Sequence, residues 1–132
     1  MCRAIYLTKL NKEQPDKNLF GIVLNFTVNS YQRGNKDGFF IRFNNTELRT
    51  LDLNEFIGFI LQNKDNINNS NEICLHYRMA THGKGEEWVH GWKFNNYSCY
   101  HNGVVEVKNK KILNDSYDFF KAVCKEEQLK YK

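Results

Sequence analysis

Three short stretches of this chain carry side chains that could perform nucleophilic chemistry together. Cys2 directly follows the initiator methionine, residues 76–83 read His-Tyr-Arg-Met-Ala-Thr-His-Gly, and residues 100–103 read Tyr-His-Asn-Gly. A cysteine that becomes the first residue of its chain can use its own α-amine, whose ordinary pKa is near ~8, as the general base for its thiol. The sequence therefore predicts that Cys2 is a nucleophile once Met1 has been removed.

The second of these stretches begins where a predicted strand ends. Residues 72–77 are rich in β-forming side chains, and a glycine-containing loop follows them. Side chains at such a strand end are held by the sheet but remain accessible to a ligand. Arg78, Thr81 and His82 are accordingly predicted to line a substrate site.

Length and composition favour one folded domain over residues 1–132. The chain has 132 residues, of which 41% are hydrophobic and 14% are aromatic, and its net charge is +4. Its scattered lysines argue against nucleic-acid and membrane-surface partners, and no apolar run approaches the ~18 residues that a transmembrane helix needs. The start has no signal-peptide pattern and the four cysteines form no C-x-x-C pair, so we expect a cytoplasmic protein with reduced thiols and no cofactor.

Residue patterns predict an α+β fold in which helices pack on antiparallel strands. Apolar residues of 18–31 recur at i, i+3, i+4 and i+7, which favours a helix, although their β-branched and aromatic types also allow a strand. Asp52 or Asn54 can cap a second helix over about 53–63, and Asp115 or Ser116 can cap a last one. Strands are predicted over residues 2–8, 39–43, 46–50, 72–77, 97–100 and 104–107.

Turn-forming residues separate these elements. The run Arg-Gly-Asn-Lys-Asp-Gly at 33–38 predicts a turn in which glycine supplies a positive φ. Longer loops are predicted over residues 9–18, 63–71 and 83–96.

Five short motifs follow one another along the chain. They are Met-Cys-Arg-Ala at the start, Arg-Gly-Asn-Lys-Asp-Gly at 33–38, His-x-Arg-x-Ala-Thr-x-Gly at 76–83, His-Asn-Gly at 101–103 and Asn-Asp-Ser at 114–116. In this order they resemble the motifs of the class II glutamine amidotransferases, a branch of the N-terminal-nucleophile hydrolases. The resemblance extends from residue 2 to about residue 120. It implies a layered N-terminal-nucleophile fold that is abridged relative to the full family domain.

The resemblance also implies a catalytic mechanism. Cys2 would attack the side-chain amide of glutamine, form a glutamyl thioester and release ammonia. The side-chain amide of Asn102 and the backbone N–H of Gly103 would form the oxyanion hole, and fixed donors of this kind are typically worth ~10²–10³ in rate.

The substrate-binding roles follow from the same resemblance. Arg78 would bind the α-carboxylate of the substrate with its planar guanidinium, and Asp115 would bind the α-ammonium group. Thr81 and His82 would line the site. The implied partners are a small glutamine-like amide and a synthetase partner subunit.

Each of these residues also has a plain structural interpretation. Arg78 could form a surface ion pair, Asp115 could be only a helix N-cap, and Asn102–Gly103 could be an ordinary hairpin turn. His76 could fill a semi-buried position. The chain as a whole could be an inactive relative that binds a ligand or a protein.

Two Cys-x-His pairs predict a competing zinc site. Cys74 precedes His76 by two positions, and Cys99 precedes His101 in the same way. Residues i and i+2 of a strand point to one face, so two adjacent strands could offer zinc two cysteines and two histidines. Because Cys is also ordinary core filler and this spacing is uncommon in zinc sites, we expect no metal.

Overall fold

A four-stranded antiparallel sheet is the framework of the structure, a computed structural model that describes residues 2–8, 18–80, 85, 86, 89, 91–94, 97–99, 105–107 and 110–112. Its strands are β1 (Arg3–Thr8), β2 (Phe39–Phe43), β3 (Thr46–Thr50) and β4 (Glu72–Tyr77). They lie in the order β1-β4-β2-β3, and each neighbouring pair is antiparallel. All four were predicted from the sequence, and β4 lies inside the sheet between β1 and β2.

Two further antiparallel pairs lie later in the chain. The strands are β5 (Trp92–Phe94), which pairs with β6 (Tyr97–Cys99), and β7 (Val105–Val107), which pairs with β8 (Lys110–Ile112). The strands predicted at 97–100 and 104–107 are confirmed. The prediction of an unbroken loop over 83–96 is wrong at β5, and β8 was not predicted, because three residues are too few for a period-2 pattern to stand out.

Three helices occur in the part of the chain that the structure describes: α1 (Leu19–Gln32), α2 (Leu53–Gln62) and α3 (Lys64–Asn68). The helical interpretation of 18–31 is confirmed. Asp52 caps α2, because its side-chain oxygen accepts a hydrogen bond from the Asn54 backbone N–H at 2.8 Å.

The predicted loop over 63–71 is wrong at its centre, where α3 forms. Ile67 is fully buried there. The burial of one isoleucine fixes a short turn of helix that the surrounding Asn-rich sequence does not predict by itself.

The helices cover one face of the sheet and enclose the main hydrophobic core. Phe56 of α2 packs at ring-centroid distances of 5.4 Å from Phe39 and 6.2 Å from Tyr77. Leu61, in the last turn of α2, is 56% exposed. The fully or almost fully buried core residues are Val23, Phe39, Ile41, Phe43, Phe56, Ile60, Ile67, Ile73, Leu75 and Tyr77.

One buried hydroxyl pair lies within this core. The Thr27 hydroxyl donates to the Val23 carbonyl at 2.8 Å and lies 2.7 Å from the Tyr77 hydroxyl. Since a hydroxyl has a single proton, Tyr77 must donate to Thr27. Burial raises the pKa of the Tyr77 phenol well above its ordinary value.

Candidate active site at the end of the central strand

Cys2 lies at the end of the sheet where β4 finishes. The register of β1 with β4 pairs Arg3 with Tyr77, so Cys2 continues towards the residues that follow β4. Its sulfur donates to the Met79 carbonyl oxygen over 3.7 Å, and the residue is half-buried. The structure thus brings the predicted nucleophile to the predicted substrate-binding segment, although 77 positions separate Cys2 from Met79.

Arg78 continues the pairing of β4 with β2 by one residue. Its backbone N–H donates to the Gly38 carbonyl at 2.9 Å, and its carbonyl accepts from the Asp37 N–H at 2.9 Å. The residue is only 3% exposed. Arg78 is therefore buried and does not occupy the surface position of the alternative interpretation.

The turn at 33–38 holds the segment that follows β4. The Asp37 carboxylate accepts from the Ala80 backbone N–H at 2.7 Å, and the Asn35 side-chain amide donates to the Tyr77 carbonyl at 3.3 Å. Gly34 has φ +95°, and a Cβ at this position would lie 3.2 Å from the Met79 terminal methyl. The positive φ that the sequence predicts for this turn is confirmed at Gly34.

Three of the five motifs therefore meet at one end of the sheet. These are the start of the chain at Cys2, the turn at 33–38 and the Arg78 segment. Asp37 belongs to a quoted motif, but sequence reasoning gave it no role. Its acidic type within a glycine-flanked turn was the signal, because such a side chain commonly accepts hydrogen bonds from nearby backbone N–H groups.

The remaining predicted site residues lie outside the described residues. They are Thr81, His82, Asn102, Gly103 and Asp115. The loop over 9–17 and the predicted last helix also lie outside them. The predictions for these residues stay predictions.

Val89 and Gly91 lie on the sheet face opposite the helices. We call these two residues the strap. The Arg49 guanidinium donates to the Val89 carbonyl at 3.1 Å, and that of Arg42 donates to the Gly91 carbonyl at 2.7 Å. Both guanidinium groups also lie over the Phe40 ring, at 4.7 Å for Arg49 and 5.2 Å for Arg42.

Two close approaches fix where the strap lies. A Cβ on Gly91, where φ is +104°, would lie 2.3 Å from the Phe40 ring. A Cβ on Gly38 would lie 2.4 Å from a Val89 methyl carbon and 3.5 Å from the Arg78 Cβ. Glycine at both positions therefore lets the strap reach the strand end beside Arg78.

His76 lies on the strap side of β4 and is fully buried. The sheet register places it between Ala4 of β1 and Phe40 of β2. This position is more deeply buried than the semi-buried position that the sequence predicts.

The paired zinc-site hypothesis fails in its geometric premise. The neighbours of β4, which carries Cys74 and His76, are β1 and β2, whereas β6, which carries Cys99, pairs with β5. Cys74 and Cys99 therefore do not lie on adjacent strands of the described sheets, and His101 lies outside the described residues. The described ranges contain no group of three or more His, Cys, Asp or Glu side chains placed to hold a metal.

Comparisons of the chain with protein-family models, curated proteins and solved structures gave no match. Within the described residues, no helix has the length and apolar character needed to cross a bilayer.

Proposed function

We propose that this protein hydrolyses the side-chain amide of glutamine, or of a related amide, with Cys2 as the nucleophile. One observation carries the proposal: the Cys2 sulfur lies 3.7 Å from the carbonyl oxygen of Met79, the residue after Arg78. A thiol and a guanidinium-bearing segment at one strand end are the two components that attack on an amino-acid amide requires.

The reaction has two balanced steps. The Cys2 sulfur adds to the amide carbon, its proton passes through the α-amine to the leaving nitrogen, and cleavage of the C–N bond releases ammonia. Water then adds to the thioester carbon, and cleavage of the C–S bond returns the thiol and gives a carboxylate. Asn102 and Gly103 stabilise the oxyanion of both tetrahedral intermediates in this scheme.

Substrate recognition is proposed to rest on opposite charges at a fixed separation. Arg78 binds the α-carboxylate, Asp115 binds the α-ammonium group, and Thr81 and His82 line the site. The support is the sequence resemblance together with the backbone of Arg78, whose N–H donates to the Gly38 carbonyl and whose carbonyl accepts from the Asp37 N–H. The same resemblance underlies the proposals of an N-terminal-nucleophile-type fold and of a synthetase partner subunit that receives the ammonia.

The turn at 33–38 is proposed to position the Arg78 segment. The Asp37 carboxylate bonds to the Ala80 N–H, and the Asp37 N–H bonds to the Arg78 carbonyl. Asp37→Asn removes the charge-assisted bond while keeping the side-chain shape. We expect this variant to raise KM for glutamine with a smaller change in kcat, whereas equal losses of folded protein and activity would indicate a purely structural role.

The decisive experiment measures glutamate release from glutamine by protein whose N-terminus has been verified by intact mass. Protein that lacks Met1 should be active, and Cys2→Ala should abolish activity. A diazoketone analogue of glutamine should add once, at Cys2. Cys74→Ala is the matched control, because Cys74 is a half-buried thiol on β4 and should be dispensable. Labelling at Cys74, or glutamate release that survives Cys2→Ala, would refute the proposal.

A second function is favoured by one specific observation. Arg78 is only 3% exposed. A guanidinium this deeply buried is better placed to bind groups of the protein itself than a substrate that arrives from solvent. In that case the chain is a non-catalytic relative that binds a ligand or a protein. Arg78→Lys separates the two functions: loss of the planar fork should raise KM at least about tenfold in an enzyme, whereas processed protein with no glutaminase activity at all supports the binding module.

A further inference from the structure

A groove between β1 and α1, beside the strand end that carries Cys2, forms a second candidate site. Its volume is about 290 Å³. This volume is near the lower end of the range typical of small-molecule pockets, ~300–1,000 Å³. Its described lining residues are Arg3, Ile22, Asn25, Phe26, Asn29 and Arg33.

The charged side chains among the described lining residues of this groove are both positive. Arg3 and Arg33 contribute two guanidinium groups, and no acidic residue is among the described lining residues. Neither guanidinium forms a hydrogen bond or an ion pair with any part of the chain that the structure describes. Two cations without an acidic partner among the described residues favour a ligand with two negative charges.

The floor of the groove is apolar. Ile22 and Phe26 follow each other by one turn of α1 and are half-buried, so both offer apolar surface that the core does not fully use. Asn25 and Asn29 are also one turn apart, are exposed and offer amide donors and acceptors at the rim. A ligand for this groove therefore needs an anionic end and an apolar or aromatic body.

We propose that the groove binds a small organic phosphate monoester. Its phosphoryl group, which carries a charge of about −1.5 to −2 near neutral pH, engages Arg3 and Arg33, and its apolar or aromatic body lies on Ile22 and Phe26. A carboxylate carries only one charge and matches the two guanidinium groups less well. The small volume excludes a large macromolecular surface as the occupant. The proposal does not rest on the chemistry of Cys2.

The first test compares four probes that separate charge from apolar contact. The full chain is titrated calorimetrically with phenyl phosphate, benzoate, inorganic phosphate and phenol at constant ionic strength. Phenyl phosphate should bind most tightly, with a Kd at least about tenfold below that of each other probe, because it alone supplies two charges and an aromatic ring.

The second test uses matched charge variants. Arg33→Gln should weaken phenyl phosphate about tenfold or more, because a charge-assisted bidentate contact is lost. Lys36→Gln is the control: Lys36 is exposed, lies three residues further along and does not line the groove, and its loss changes the net charge equally. The control should change the Kd less than about twofold. Arg33 is also exposed, so neither variant should impair folding.

Several results would overturn the proposal. Equal weakening by Arg33→Gln and Lys36→Gln would indicate diffuse surface electrostatics. If inorganic phosphate bound as tightly as phenyl phosphate, the apolar floor would not contribute to binding. If benzoate bound as tightly, two negative charges would not be required. Absence of phenyl phosphate binding at millimolar concentration, or binding only of an acidic peptide offered in its place, would refute the assignment outright.

Discussion

The two faces of the four-stranded sheet are covered in physically different ways. The helix side is closed by many interchangeable apolar contacts, in which Phe39, Phe56 and Tyr77 pack ring against ring. Part of the opposite side, over β2 and β3, is covered by the strap, whose backbone approaches Phe40 closely and accepts hydrogen bonds from two arginines. Packing on the first face depends on the volume of the buried side chains. Packing on the second face depends on glycine at positions 38 and 91, where a Cβ would clash.

This difference indicates which face of the sheet tolerates substitutions. Apolar packing tolerates substitutions that keep the volume, because neighbouring side chains adjust. A glycine against an aromatic ring leaves no such freedom, since one added methyl group must displace the backbone or the ring. Val89 of the strap also lies against Gly38, whose carbonyl accepts from the Arg78 backbone N–H, so the position of the strap is linked to the candidate active site.

The largest effect is expected on the helix side. Phe56→Ala removes a fully buried ring and should lower the free energy of unfolding by about 3–5 kcal/mol. Leu61→Ala, on the same helix but 56% exposed, should cost less than about 1 kcal/mol. Denaturant unfolding of both variants checks this, and similar losses would show that the helix does not close the core as described.

The next effect probes the strap side. Gly91→Ala places a Cβ 2.3 Å from the Phe40 ring and strains a φ of +104°. We expect a loss of about 1–3 kcal/mol in unfolding free energy, with faster amide exchange at Val89. Gly58→Ala in α2 meets nothing within 4 Å and should instead stabilise by up to about 1 kcal/mol. An unaffected Gly91→Ala variant would mean that the strap does not rest on Phe40.

A smaller effect depends on pH and tests the polar contact inside the core. Tyr77→Phe removes the hydrogen bond to Thr27 and should cost about 1 kcal/mol at pH ~9. The pKa of Tyr77 is raised above the ordinary value of 10.0, so above that pH the unfolded chain releases a proton that the folded protein retains. Wild-type stability should therefore fall as the pH rises above about 10, and the difference from Tyr77→Phe should shrink. A difference that stays constant in unfolding curves from pH ~8 to ~11 would contradict this.

The smallest effect is expected for the exposed ion pair between Glu47 and Arg42, the arginine that also bonds to the strap. The Arg42 guanidinium lies 2.6 Å from the Glu47 carboxylate, whose side chain is 44% exposed. Glu47→Gln should cost no more than about 0.5 kcal/mol, and high salt should reduce the cost further. Unfolding curves at low and high salt measure it. A large, salt-independent loss would mean that this pair, and not Gly91, determines where the strap lies.

Part of the candidate site could be predicted from residue types and spacing. Arg78 was expected at the end of β4 because a β-rich run stops there, and Cys2 was expected to reach it because the resemblance to an amidotransferase requires this. The roles of Asp37 and of the strap were not predicted. Both depend on hydrogen bonds between residues about 40 positions apart, and no local pattern encodes such a distance.

The sequence by itself determined the local elements. Periodicity, caps and turn residues are interactions within a few positions, so α1, β2, β3 and β4 could be read from them. Only the tertiary structure decided that β4 lies between β1 and β2, that Arg78 is buried and that Gly38 and Gly91 face crowded neighbours. These properties depend on packing between segments that are distant in sequence. The energies of such contacts appear only when the folded chain brings those segments together.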